Sequence, residues 1–169
     1  MAETFCGIEH RPKQAGVLLL GPFMPASTRN RLHRLASEKK DLRILDFVVD
    51  PLGLVRDADC VITMGGHNSV SEALSFDRPS LIVPRVAPRR EQWVRAHKLA
   101  KLGLVDVCDP EDLSPRRLES WIEKVRNGSR RLQTGSTLDM GGLDRVREIV
   151  EGLGHRRRRS PEGGSLWAR

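Results

Sequence analysis

Tyrosine is absent from these 169 residues, and aromatic side chains make up only 4% of them. So few rings argue against a stacking surface for single-stranded nucleic acid, and nucleic acid is not an expected partner. Cysteine is scarce too: Cys6, Cys60 and Cys108 are odd in number, far apart and form no CxxC pair. That usage favours a reduced, cytoplasmic setting over a disulfide scaffold. Long apolar runs are missing as well. The longest aliphatic stretch is Val17 to Leu20, far short of the roughly 20 residues of a membrane span, and no signal peptide is visible at the start. What is present is enough chain for one domain with a real core.

Charge is in excess, at +7, and it is unevenly placed. From Asn127 onward there are nine Arg against five acids, a net of +4, concentrated in Arg156-Arg157-Arg158-Arg159. With the Pro- and Gly-bearing end SPEGGSLWAR, residues 154–169 read as a disordered basic tail, solvated by default or touching an acidic surface.

Strands and helices alternate along the rest. Residues 1–15 have no sustained periodicity and read as irregular or as holding a helical remnant. A buried strand at Gly16 to Leu20 runs into Gly21-Pro22-Phe23-Met24-Pro25. Ser27 or Thr28 opens a helix to about Ser37, with Leu32, Leu35 and Ala36 as its apolar face. Leu42 to Val49 is a second strand, and Pro51 starts a short helix to about Ala58. After Pro84 a loop leads to a helix from Glu91 to about Lys101, where Trp93, Ala96, Leu99 and Ala100 recur at helical spacing and Gly103 closes the end. Leu104 to Cys108 is the last strand. Ser114-Pro115 opens a helix to about Arg126, residues 127–140 are linker, and 143–153 form a terminal amphipathic helix. The expected architecture is α/β, a Rossmann-like parallel sheet with helices on both faces, spanning residues 16–153.

The stretch DADCVITMGGHNSVSEALSFDRPSLIVP, ending at Pro84, carries the most chemistry. Cys60 to Thr63 is a continuous apolar run, as in a strand buried on both faces. Met64 to Asn68 break it, Ser69-Val70-Ser71-Glu72 has capping-box spacing, and Ser80 to Val83 is the next strand. A glycine turn feeding a helix N-terminus binds anions through unpartnered N–H groups, and Gly65 and Gly66 would admit a phosphate close to the backbone. The same pair also suits a plain tight turn. Glu72 likewise fits either a ligand contact or the closing of the capping box on Ser69.

This stretch, continued through PRVAPRREQWVRAHKLAKLGLVD, resembles the nucleotide-sugar-binding half of GT-B glycosyltransferases, above all the family 28 C-terminal domain. GPFMP is similar to its counterpart in a bacterial group of predicted, MurG-like glycosyltransferases. The likeness spans about Gly16 to Val125. It implies that Gly65, Gly66, His67, Asn68 and Ser69 face the donor diphosphate and that Glu72 bonds the ribose hydroxyls. It further implies that Glu91 and Gln92 bond the transferred sugar and that the backbone near Val48 reads the base edge. Under that likeness His67 suits a phosphate contact better than a catalytic base, since the family's base, where assigned, comes from the other domain. The catalytic residues are therefore unassigned. Arg85, Arg89 and Arg90 either neutralise the leaving diphosphate or form a solvated loop.

The resemblance also implies the reaction: transfer of a hexosyl group from a nucleoside-diphosphate sugar, UDP-linked by preference, to an acceptor hydroxyl. Neither cofactor nor metal is expected. A complete enzyme of this kind has two Rossmann-like domains, and this length accommodates one. The chain alone is therefore expected to be inactive. The alternatives are a subunit of a split enzyme, with its acceptor-binding domain on another chain, or a non-catalytic nucleotide-binding module or truncated product; a nucleoside-diphosphate-sugar epimerase ranks below these. GPFMP matches the family's second strand and loop, which leaves the opening βα unit unaccounted for and predicts an open strand edge and self-association. The expected location is cytoplasmic, either free or peripheral at the inner face of the membrane.

Overall fold

The computed structural model describes residues 1–9, 14–87, 90–128 and 141–157. The chain divides into two units, residues 1–134 and 135–169. The first unit contains α1 (Ala2–Cys6), β1 (Gly16–Leu19), α2 (Ala26–Ser37), β2 (Leu42–Leu45), α3 (Leu52–Asp57) and β3 (Val61–Thr63). These are followed by α4 (His67–Ser75), β4 (Ser80–Ile82), α5 (Glu91–Lys101), β5 (Asp106–Val107), a 3-10 turn at Pro110–Asp112 and α6 (Pro115–Arg126). The second unit contains α7 (Gly142–Arg157), four residues longer at its end than the expected terminal helix. Most of the expected linker, and the tail beyond residue 157, lie outside the described residues. Among the described residues no helix is long and apolar enough to cross a membrane.

Every strand pair is parallel, as expected, but the strands form two sheets instead of one: β1-β2 and β3-β4-β5. In the rear sheet β3, expected from its apolar run to be buried on both faces, is half-buried along its whole length. β4 is buried along its whole length, as an unbroken apolar run demands when helices cover both faces. In the front sheet, Val17 and Leu19 of β1 are 48% and 42% exposed while Leu20 is buried. The expectation of cover on both faces therefore fails at β1: Leu18 and Leu20 pack towards Leu32 and Ala36 of α2, and no described element covers Val17 and Leu19.

In the N-terminal segment the expected helical remnant is present. Residues 2–6 are helical, too short a helix to show periodicity or to be stable without tertiary contacts. Phe5 packs against both apolar clusters, the front one around Cys6, Leu20 and Leu32 and the rear one around Ile8, Leu81 and Leu118. Lys39 donates to the Ile8 carbonyl, Arg31 pairs with Glu3, and the Glu9 N–H donates to Glu119 Oε1 at 2.9 Å. The segment thus ties α2 and α6 across the two sheets.

Strand ends contract wherever a neighbour runs out. The strand expected over Leu42 to Val49 stops at Leu45, because β1 supplies only four residues of ladder, and beyond it Phe47 and Val49 are 65% and 90% exposed. The strand expected from Leu104 to Cys108 pairs only at Asp106 and Val107, opposite the short β4. Leu104 and Val105 are nonetheless buried. α2 starts at Ala26 behind Pro25 and uses neither Ser27 nor Thr28 as a cap. Leu35, expected on its apolar face, is 39% exposed. The α6 start is as read: Ser114 Oγ accepts from the Arg117 N–H at 3.3 Å, with Pro115 in the first turn.

Indole hydrogen bonds tie α5 and α6 to β5 and the residues just beyond it. Trp121 Nε1 of α6 donates to Asp106 Oδ2 at 2.8 Å, and Trp93 Nε1 of α5 donates to Asp109 Oδ1 at 2.9 Å. His97 stacks on Trp93 with ring centroids 3.9 Å apart. These contacts set the position of α5, whose first turn carries two of the expected sugar-binding residues.

Candidate functional site

The site begins where β3 ends. Gly65 has φ +80°, and a Cβ built on it would lie 2.8 Å from Ile82 Cγ2 of β4. Only glycine satisfies both the left-handed backbone and the close packing against the neighbouring strand. The Gly65 N–H donates to Thr63 Oγ1 at 3.3 Å, which braces the turn from within. Gly66 has φ −57° and an unobstructed Cβ position. Its role is therefore not conformational; it is the residue that precedes the helix.

α4 starts at His67, with Gly66 as its N-cap and no side-chain cap bond. This corrects the capping-box reading. Ser69 lies in the first turn, with its side chain already past the cap position, so Glu72 has no box to close. The physical reason is that the turn ends at Gly66, and helical dihedrals begin two residues before the first Ser. Val70 N donates to the Gly66 carbonyl, which leaves the N–H groups of His67, Asn68 and Ser69 without intrahelical acceptors. All three residues are exposed. Glu72 is half-buried one turn further on, and among the described residues its carboxylate has no hydrogen-bond or ion-pair partner.

α5 supplies the second wall. Its first residue, Glu91, pairs through Oε1 with Arg95 Nη2 at 2.7 Å. Gln92 Oε1 accepts from the Arg85 N–H at 3.2 Å, so its side chain already holds the loop that follows β4. Pro84, at the end of that strand, is fully buried. Arg90 lies over the Trp93 ring, 5.2 Å from its centroid. Arg85 is exposed, and Arg89 lies outside the described residues. Val48, half-buried, follows β2 in an extended loop between the exposed Phe47 and Val49.

In each sheet these residues lie at or just beyond the carboxyl ends of parallel strands, the position at which α/β sheets bind ligands. The structure directly joins the glycine turn, α4 and the start of α5. The contact that joins them, Arg95 Nη1 to the Gly65 carbonyl at 3.3 Å, was not anticipated. Half of it was legible as a Glu91–Arg95 spacing of four on a helix; nothing local points to Gly65. A concavity lined by Asp106, Arg117, Ser120, Trp121 and Lys124 lies between β5 and α6 and contains none of the site residues.

Known proteins resemble this chain in sequence and in fold. The family model for the glycosyltransferase family 28 C-terminal domain matches residues 12–149. An uncharacterized glycosyltransferase of Methanosarcina acetivorans is 39% identical over 139 residues, covering 79% of this chain and 35% of that protein. A UDP-N-acetylglucosamine–N-acetylmuramyl-(pentapeptide) pyrophosphoryl-undecaprenol N-acetylglucosamine transferase of Shouchella clausii is 29% identical over 93 residues, covering 53% of this chain and 26% of that protein. The chain spans about a third or less of the length of these curated relatives. Among solved structures, MurG of Acinetobacter baumannii matches with a TM-score of 0.63 at 17% identity, over 85% of this chain and 51% of the other. That likeness is one of fold.

Proposed function

Since the chain belongs to the glycosyltransferase family 28 C-terminal domain, we propose that it is the donor-binding domain of a glycosyltransferase that moves a hexosyl group from a nucleoside-diphosphate sugar, UDP-linked by preference, to an acceptor hydroxyl. The observation that carries this reading is the junction of β3 and α4. A glycine-only turn ends in a helix start without a side-chain cap, with the Glu72 carboxylate, unpartnered among the described residues, one turn further along. The N–H groups of His67, Asn68 and Ser69 suit diphosphate oxygens, with the helix dipole adding to the attraction. Glu72, freed from a capping role, suits the vicinal diol of a ribose, because a carboxylate accepts from both hydroxyls at once. Glu91 suits a hydroxyl of the transferred sugar, and Gln92 shapes the loop beside it. The backbone at Val48 suits a base edge.

Catalysis on this reading needs an acceptor-binding domain, because positioning the acceptor contributes roughly 7–11 kcal/mol of barrier lowering. Coverage of about a third of the curated relatives supports this. An alternative reading is a subunit of a split enzyme or a nucleotide-binding module without turnover. Among the described residues β1 is hydrogen-bonded on one side only. Such an edge favours pairing with a strand of another chain or copy. The family likeness is compatible with a cytoplasmic domain working at the membrane's inner face.

Calorimetric titration of the chain with UDP, other nucleoside diphosphates and their sugars tests the proposal. Weak binding of UDP is expected, and Glu72→Gln should weaken it by about 1–2 kcal/mol with no loss of melting temperature, since a charged acceptor becomes neutral. Failure of every nucleotide to bind would overturn the reading.

A further inference from the structure

Arg95 stands one turn after Glu91 on α5, with 28% of its side chain exposed against 65% for Glu91. An i,i+4 ion pair of this kind is ordinarily a surface feature contributing about 0.2–0.5 kcal/mol. Here the guanidinium has a second arm. While Nη2 holds Glu91 Oε1 at 2.7 Å, Nη1 reaches the Gly65 carbonyl at 3.3 Å, thirty residues earlier in the chain. One side chain thus grips both the glycine turn and the residue suited to the sugar.

The grip on Gly65 has a directional consequence. In a planar trans peptide the C=O of one residue and the N–H of the next point in opposite directions. Fixing the Gly65 carbonyl towards Arg95 therefore turns the Gly66 N–H away from it. Gly65, at φ +80°, is the residue type most able to let this peptide rotate. Its N–H is tied to Thr63 Oγ1, but that bond restrains the preceding peptide. The Gly65–Gly66 peptide itself is held by Arg95.

We propose that Arg95 is a positioning residue that couples the two parts of donor recognition. It orients the Gly65–Gly66 peptide so that the Gly66 N–H serves the diphosphate, and it holds the Glu91 carboxylate for a hydroxyl of the hexose. The inference rests on the donor-binding reading above and adds the side chain that links its two halves. A guanidinium suits the task because its planar fork supports two divergent hydrogen bonds, whereas a lysine ammonium is a single point charge on a flexible stem. Arg95 need not touch the donor for its loss to be felt.

The test uses the full chain with UDP and UDP-glucose as probes, and the variants Arg95→Met, Arg95→Lys and Glu91→Gln. Arg95→Met is expected to melt near the parent, to bind UDP about threefold to tenfold more weakly, and to lose most of the extra affinity that the glucose adds, consistent with one or two hydrogen bonds. Arg95→Lys should recover UDP affinity but not the glucose increment. In the Glu91→Gln background, Arg95→Met should still weaken UDP binding yet leave the UDP-glucose to UDP ratio unchanged. The Gly66 amide resonance should move in Arg95→Met without ligand, a signature that loss of packing on α5 alone would not produce. A parent that binds both probes while Arg95→Met matches it in both affinities would overturn the role of Arg95 alone. An equal loss for UDP and UDP-glucose would overturn the coupling. A parent that binds neither probe would overturn the donor-binding reading and this inference with it. Should Arg95→Met fail to fold, Arg95→Lys still decides, since an undiminished glucose increment in that variant contradicts the proposal.

Discussion

The two half-sheets of the first unit are built to different standards. In the rear half, β4 is buried from end to end between β3 and β5, and α5 and α6 are pinned to the end of β5 and the residues beyond it by indole hydrogen bonds. In the front half, β1 has one strand neighbour and leaves Val17 and Leu19 about half exposed. The contacts that position the glycine turn all belong to the rear half: Thr63, Ile82 and Arg95. Groups meant to hold a flexible diphosphate must themselves be held, and that takes a strand covered on both faces. The front half contributes only the loop near Val48, where a backbone edge suffices.

If this contrast is real, core deletions should separate the halves most strongly. Ile82→Ala removes a fully buried side chain and is expected to cost about 2–5 kcal/mol. Leu19→Thr should cost less than about 1 kcal/mol, because much of that side chain is already in water. Urea denaturation measures both, and equal losses would erase the distinction. Light scattering on Leu19→Thr sharpens it further: if β1 is the sticky edge, this variant should associate less than the parent.

Within the rear half, the two glycines of the turn should part company. Gly65→Ala is expected to cost about 1–3 kcal/mol for its backbone angle alone, and more for the contact with Ile82 Cγ2. Gly66→Ala should leave the melting temperature nearly unchanged, since nothing crowds its Cβ position. Comparable thermal shifts for the two would show that the turn is not held by β4.

The smallest expected effect concerns protons. Burial, followed by the charge of Asp59, pushes the Cys60 thiol beside β3 up to about 11 from 9.0. Burial also raises Cys6 in the front half and Cys108 in the rear. A raised thiol pKa means the fold favours the neutral form. Its contribution is therefore complete below pH 9, and is lost as pH rises from the unfolded value towards 11. Cys60→Ala should flatten the fall in stability between pH 9 and 11, read as the urea midpoint across that range. An unchanged slope would assign the fall to other groups.

Local signals accounted for much of the rear half. Apolar spacing and Gly103 marked α5, Ser114-Pro115 marked α6, and the continuous apolar run marked β3; each is readable because it depends on neighbours along the chain. The glycine turn and Glu72 were legible as candidates for the same reason. What escaped was long-range. A helical remnant was legible in residues 1–15, but not that Phe5 would pack against two cores at once, which no periodicity in five residues can announce.

The sequence by itself determined the alternation of parallel strands and helices, the glycine turn and the family to which the chain belongs, since all of these are written in contiguous residues. Tertiary structure alone decided three things: that α4 begins at His67 and frees Glu72, that Gln92 is occupied by the Arg85 N–H, and that Arg95 joins Gly65 to Glu91. The physical reason is one of range. A periodicity or a turn is a property of the local backbone, whereas a side chain's partner, seven residues away for Gln92 and thirty for Arg95, exists only once the strand ends and helix starts are in place.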